Sequence, residues 1–536
     1  MANCPGCGGL LKFSIYDQQL KCMSCSALYS PYEKNVLARP DEHSGSEPSA
    51  EGDDTYEATV FTCPQCGGVL TSTDHDLSGN CTFCGSPVVF ESKLEKQKKP
   101  DYIIPFGISK KQCKNAYMKY VKNNPYTPEK LKDPEFIDGF RGIYVPYWIY
   151  DVRQEGSFTR KGDRTEVHGE YTYQFKDEVT GTNCSVFKHI MHDASSVFHD
   201  DLSEKTEPFE TVRNPGFHRR SPEFREFSEG YFAGFYAEPA DVPSSTYEEY
   251  ARNVAEDRAQ KYIETHSKLS TYNITLKKEE FGTRINSVKL AMMPVWFLSY
   301  RKGNRVAYAA VNGQTGRVVS DTPIDTKVFL IRFLIAAVIA FVLLMFTTIL
   351  PVSVTLISVI MAMLVTGYCA EDTAALKNRS SDGIAGRLRD NLVNGISLVV
   401  FFVLLGVIAV FKILCLIEPD FVTFVNASSF SVIAVVINII HLILLVCLFS
   451  DLQSVKKKDK SVSLYLCPLI NMASGIAGNI VLAAKPVWDY CYYAVGVTVL
   501  AAELVSFLLL IRNYNRIATR PLPQFSVHKG GDDSAV

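Results

Sequence analysis

Eight of the fifteen cysteines fall into four Cys-x-x-Cys pairs, and these are the residues whose type and spacing speak most clearly of chemistry. Cys4 and Cys7 are followed, after fourteen residues, by Cys22 and Cys25; Cys63 and Cys66 are followed, after fourteen again, by Cys81 and Cys84. Each position recurs at an interval of 59 residues. Two thiolate pairs so spaced bring two tight turns onto one tetrahedral ion, the ligand plan of a structural zinc ribbon. All four positions around each ion are then filled, leaving none open for catalysis. Chance pairs or a redox dithiol are the plainer alternatives. The other seven cysteines stand singly, which reads as a metal pattern in a reducing compartment rather than a disulfide framework.

The elements that must hold these thiolates are short. Gly8-Gly9 and Gly67-Gly68 follow the leading pairs and allow the backbone to turn tightly towards the sulfurs. A ribbon of this size is too small for a core of its own, so the metal, worth on the order of 10 kcal/mol in such peptides, supplies the folding energy. Two structural zinc ions are therefore expected, one for each set of four cysteines. His43 and His75 lie outside the ligand spacing and read as solvated residues.

Charge then limits what the ribbons can touch. Residues 1–90 carry four Lys or Arg against eleven Asp or Glu, a net of minus seven, the wrong sign for phosphate. Nucleic acid is an unfavourable partner and protein a favourable one. Most of the acid sits in a Ser-, Pro- and Gly-rich stretch, so residues 31–58 read as a flexible acidic linker between a first ribbon (1–30) and a second (59–92).

Residues 101–326 mix strand-like and helical patterns and read as an α+β cytosolic domain. Helices are expected at 109–122 and 247–266, the latter with Tyr250, Val254, Ala259 and Ile263 near one face. Tyr144-Val-Pro-Tyr-Trp-Ile-Tyr150 is echoed by Met292-Met-Pro-Val-Trp-Phe-Leu298, and Asn312-Gly-Gln-Thr-Gly316 fits a tight hairpin. His168, His189, His192 and His199 are the one tempting catalytic cluster, but no metal-protease helix, nucleophile elbow or phosphate loop accompanies them. No enzyme is expected.

From residue 327 the material changes to long apolar runs. Spans are expected at 328–350, 352–368, 395–417, 432–449, 464–484 and 487–511, making an all-α transmembrane bundle of about six helices within 327–511, with a tail at 512–536. Twelve Lys or Arg lie in the loops after spans two and four and in the tail, against Lys485 alone in the alternate loops. By the positive-inside rule both termini are cytoplasmic and the protein is multi-pass in the plasma membrane, surrounded by lipid. The opening residues lack the basic and apolar regions of a signal peptide. His441 and Glu503 fall inside the spans, where ionisable residues are functional candidates, an interhelical hydrogen bond being the plainer account.

Taken together, the Cys-Pro-x-Cys-Gly-Gly ribbons, the Pro-x-Trp strands, the Asn-Gly-Gln-Thr-Gly hairpin and the apolar C-terminal half resemble a bacterial family of TFIIB-type double zinc-ribbon membrane proteins, the YdjG-like proteins. The resemblance implies zinc ligation by Cys4, Cys7, Cys22, Cys25, Cys63, Cys66, Cys81 and Cys84. It also implies work in envelope maintenance or stress beside TPM-domain or phage-shock-protein-A-like partners. The expected protein is a multidomain, non-enzymatic membrane scaffold that recruits cytosolic and membrane proteins. A transporter or channel component regulated by the zinc module, or a membrane-bound enzyme, are the alternatives.

Overall fold

The computed structural model describes residues 3–33, 55–72, 78–89, 91–197, 200–207, 224–266, 272, 274–344, 362–374, 429–454, 462–484 and 487–525. The chain divides into two compact units. One comprises residues 1–123, 132–320 and 521–536; the other comprises 124–131 and 321–520.

The first unit is built on two long strands, Arg141–His168 and Thr283–Lys302, which pair antiparallel. Their central stretches are apolar and aromatic without alternation, because both faces are covered: residues 142–150 are all buried. The two echoed sequences are direct neighbours here, with Tyr144 opposite Pro294 and Pro146 opposite Met292. Proline inside a central strand removes a ladder donor, and both prolines avoid the loss in the same way. Pro146 lies where the outer neighbour changes from Tyr236–Ala237 to Tyr171–Asp193, and Pro294 where it changes from Tyr102–Ile103 to Arg305–Asn312. Their carbonyls face that outer side, accepting from the amides of Ala194 and Gly313. The tryptophans repeat the likeness, Trp148 donating its indole N–H to the Val242 carbonyl and Trp296 to that of Ile108, both at 2.8 Å.

The sheet extends through Arg305–Asn312 to Val318–Ser320. In the loop between them, Asn312 Oδ1 accepts from the amides of Gln314 and Thr315, and Gly316 takes a left-handed φ of 75°. Helix Lys110–Lys122 starts where Ser109 and Gln112 cap each other reciprocally, and buries Cys113, Tyr117 and Val121. Helix Glu248–His266 buries a stripe of small residues, Ala251, Ala255 and Ala259, ending in Ile263. Tyr250 and Val254, expected on that face, are only half-buried, because alanines let the helix approach the sheet more closely than larger side chains would.

The second ribbon is part of this sheet rather than a tethered bead. Thr55–Thr62 pairs with Glu91–Lys98 on one side and Val69–Ser72 on the other, and Val69–Ser72 pairs with Tyr236–Ala237. The expected linker therefore gives way to strand at Thr55. The cause is legible in residues 58–61, where Ala58, Val60 and Phe61 are buried behind a run whose acidic composition had suggested a tether. Residues 34–54 lie outside the described residues.

Arg141–His168 continues past its last contact with Thr283–Lys302 and, with Tyr171–Asp193, forms a two-stranded arm turning at Gly169, where φ is 63°. The arm is buttressed at its base by Phe158, Ala259, Ile263, Ile274, Leu276 and Phe281. Two glycines make this junction possible. A Cβ on Gly156 would overlap the Glu280 carbonyl, and one on Gly282, where φ is 58°, would overlap that of Glu155. Gly282→Ala is expected to destabilise the unit by about 2–3 kcal/mol, since backbone rather than a yielding side chain is in the way. Urea denaturation of the full-length protein measures it, and an unchanged midpoint would show that the junction relaxes freely.

The second unit contains helices Thr326–Leu344, 362–374, Ser429–Ser454, Val462–Ala484 and Asp489–Ile517. Among the described residues, Val462–Val481 and Tyr493–Ile517 are long and apolar enough to cross a membrane, and Asn438–Gln453 is a shorter apolar stretch. Of the six expected spans, 395–417, residues 345–350 of the first and residues 352–361 of the second lie outside the described residues. The span that reads most weakly, 464–484, is one continuous helix despite Pro468. Its Asn471 is fully buried and donates to Ser506 Oγ at 2.7 Å. At one end of this unit, Ile324 and Asn515 exchange two hydrogen bonds of 2.6 and 2.8 Å, Tyr514 donates to the Thr322 carbonyl, and Arg520 pairs with Asp321.

Candidate metal centres

The eight paired cysteines gather into two sets of four, Cys4/Cys7/Cys22/Cys25 and Cys63/Cys66/Cys81/Cys84, and within each set all sulfurs lie within 4.8 Å of one another. The positioning device is one turn used four times. The first cysteine of each pair donates its amide to the carbonyl five residues on: Cys4 to Gly9, Cys22 to Ala27, Cys63 to Gly68 and Cys81 to Ser86. Its own carbonyl accepts from the residue four on: Gly8, Ser26, Gly67 and Gly85. That fourth residue has φ of 60–75° in every case. Glycine takes this conformation without strain and serine does not, so the turn at Ser26 is the costly one of the four. The roles of Gly85 and Ser26 do not show in the motif read as paired glycines, since neither belongs to a Gly-Gly pair.

Zinc fits both sets. Zn–S bonds of about 2.3 Å in a tetrahedron place sulfurs about 3.8 Å apart. The sulfurs here stand 3.4 Å apart for Cys7 and Cys22, 3.7 Å for Cys4 and Cys25, 3.8 Å for Cys66 and Cys81, and 4.0 Å for Cys63 and Cys84. Crowded thiols cannot all ionise without a cation. In the second set the neighbouring sulfurs, Cys66 first, hold Cys63 down at about 7, whereas Cys66 is pushed far up, chiefly by Cys63. A divalent ion removes that conflict by accepting all four thiolates.

The surroundings of the two sets differ. In the first, Cys4 and Cys22 are buried while Cys7 and Cys25 are exposed, and the Tyr29 hydroxyl lies 3.3 Å from Cys4 Sγ, the main influence holding that thiol down at about 6. The buried half faces a core with Leu11, Phe13, Leu20 and Tyr231. In the second, all four are buried in a core with Phe61, Leu70, Phe83, Phe297 and Tyr308. Backbone around it is held from several directions. Ser299 Oγ donates to the Cys81 carbonyl, the Tyr308 hydroxyl to that of Phe83, and the Phe525 amide to that of Cys66 at 2.6 Å. Phe525, in the tail after the last helix, also meets Phe83 edge-on at 5.9 Å.

Among the described residues, His168, His189 and His192 do not assemble. His168 stands at the arm turn beside Glu166, His189 packs against Phe224, and His192 is buried with its ring stacked on Tyr247 at 3.6 Å. His199 lies outside the described residues. In the second unit His441 is fully buried, its Nε2 2.6 Å from Thr366 Oγ1. Glu503 is 8% exposed, and neither of its oxygens has a hydrogen-bond partner among the described residues. Sequence reading did not single out two buried acids, Asp193 next to His192 and Glu238 from a distant segment.

No protein-family model and no solved structure matches the chain. Over 335 residues it is 29% identical to a protein of Bacillus subtilis (strain 168) described as "Uncharacterized protein YdjG", an alignment that spans 60% of this chain and 90% of that protein.

Proposed function

We propose that the chain is a non-enzymatic membrane scaffold whose zinc-ribbon and sheet unit recruits cytosolic proteins. The observation that carries this reading is the arm. Beyond Gln154 its two strands have no third strand beside them among the described residues, and Tyr171, Tyr173 and Phe175 form an exposed aromatic row, with Tyr171 71% exposed. A projecting aromatic row flanked by free strand edges is suited to protein contact.

The reading includes a multi-pass anchor of about six helices with both termini in the cytoplasm. It draws support from the clasp of residues 321–324 with 514–520, since chain entering and leaving at one end requires an even number of crossings. The Phe525 amide on the Cys66 carbonyl supports it too, because the tail then shares a side with the second ribbon. The resemblance adds TPM-domain and phage-shock-protein-A-like proteins as partners, and envelope stress as the setting. The test is co-purification of those two partner classes from membranes with the full-length protein and with a Tyr171→Ala, Tyr173→Ala, Phe175→Ala variant. Capture by the wild type and at least a tenfold loss with the variant is the expected result. Equal capture by both sinks the role of the arm.

A transporter or channel component is the second reading, favoured by buried polar groups in the helical unit. Neither polar atom of Asn438 nor either oxygen of Glu503 has a partner among the described residues, and Asn513 bonds Asp372 at 2.6 Å. A proton or cation flux in proteoliposomes that disappears with His441→Leu and Glu503→Gln would put this reading first.

A further inference from the structure

We propose that the first cysteine set is an oxidation site that releases its zinc to hydrogen peroxide, while the second is a permanent structural centre. The inference rests on zinc filling both sets and goes beyond it by assigning them different chemistry. Cys7 and Cys25 are exposed and belong to different turns, so an oxidant reaches one thiolate of each pair without unfolding anything. Their buried partners Cys22 and Cys4 lie within 3.4 and 3.7 Å, ready to resolve an oxidised sulfur. Two more features loosen this site. Its second turn carries the left-handed Ser26 where the other three carry glycine. The cysteine carbonyls of the other set are also tied from outside their own turns, Cys66 accepting from the Phe525 amide in the tail and Cys81 from Ser299 Oγ, whereas Cys4 and Cys22 accept from Gly8 and Ser26 of their own turns. Cysteine oxidation follows exposure and thiolate character, and a zinc-bound thiolate already has the second.

The chemistry closes. The Cys7 thiolate attacks one peroxide oxygen, the O–O bond breaks, and hydroxide leaves to take up a proton as water, leaving a sulfenic acid. The Cys22 thiolate attacks that sulfur and displaces a second hydroxide, which becomes the second water. Two electrons pass from the sulfur pair to peroxide, one disulfide forms, and the ion, left with two thiolates, dissociates. In the second set the same attack requires the packing of Phe83 and Phe525 to open first.

The experiment uses the reduced full-length protein in mild detergent, with its zinc counted beforehand by atomic emission. Hydrogen peroxide is added, release is followed with a chromogenic chelator, and disulfides are mapped by differential alkylation and mass spectrometry. One equivalent is expected to leave at least about tenfold faster than the other, with oxidation confined to the peptides carrying Cys4, Cys7, Cys22 and Cys25. Reductant with zinc restores the starting count. Two equivalents leaving at one rate, faster oxidation at Cys63 to Cys84, or no release at all overturns the proposal while leaving two structural zinc ions in place. A count below two before oxidant overturns the zinc reading and this proposal with it.

Discussion

Cys63→Ser in the full-length chain is expected to remove one of two bound zinc ions and to lower the thermal midpoint of the sheet-rich unit by about 10 °C or more. A zinc ribbon standing alone would lose its own fold and little else. Here the four sulfurs sit inside the principal core with Phe61, Leu70, Phe297 and Tyr308, and the ribbon strands continue into the sheet through Tyr236–Ala237. Removing the ion leaves three crowded thiols in that core, so part of a binding energy on the order of 10 kcal/mol is withdrawn from the whole unit. At roughly 2 °C per kcal/mol for a unit of this size, about half of it gives the stated shift. Scanning calorimetry with metal analysis is the measurement. Loss of one zinc with an unchanged midpoint would show the ribbon to be an independent appendage.

That contrast marks where sequence was informative. The gathering of the eight cysteines into two sets of four and the turns at Gly8 and Gly67 were legible because each depends on residues close together in the sequence. The pairing of Tyr144-Val-Pro-Tyr-Trp-Ile-Tyr150 with its echo was half legible: the likeness could be seen, but not that both prolines fall where a neighbouring strand is exchanged, which depends on four other segments. Absorption of the second ribbon into the sheet was not legible, because Tyr236 and Ala237, which complete it, lie about 165 residues from Thr71 and Ser72. The arm's aromatic row reads in sequence as ordinary alternating strand. Only the ending of Thr283–Lys302 at Gln154's partner leaves it exposed.

Glu238→Gln is expected to raise stability at pH 8 by roughly 2–4 kcal/mol and to leave it nearly unchanged at pH 5. Glu238 follows the short strand Tyr236–Ala237, with its amide bound to the Tyr144 carbonyl and its side chain inside the unit, 2% exposed. Burial pushes its pKa up to about 8; the Ser195 hydroxyl opposes the rise, and the carboxylates of Asp241 and Asp193 reinforce it. Asp193, 1% exposed and beside His192, is shifted upward as well, again chiefly by burial. The sign follows from proton counting. Between the ordinary glutamate range near pH 4.5 and pH 8, the folded chain keeps a proton on Glu238 that the unfolded chain has released. Stability is therefore full below that window and falls by up to about 1.4 kcal/mol per pH unit across it, the ionised group being a net cost above pH 8. Glutamine is neutral throughout, so its curve is flatter and the two separate as pH rises. Because protonation of the zinc thiolates acts in the opposite direction at low pH, chemical denaturation of the zinc-loaded protein between pH 6 and 8.5 isolates the effect. Parallel wild-type and Glu238→Gln profiles over that range would mean that this carboxyl titrates as an ordinary solvated one.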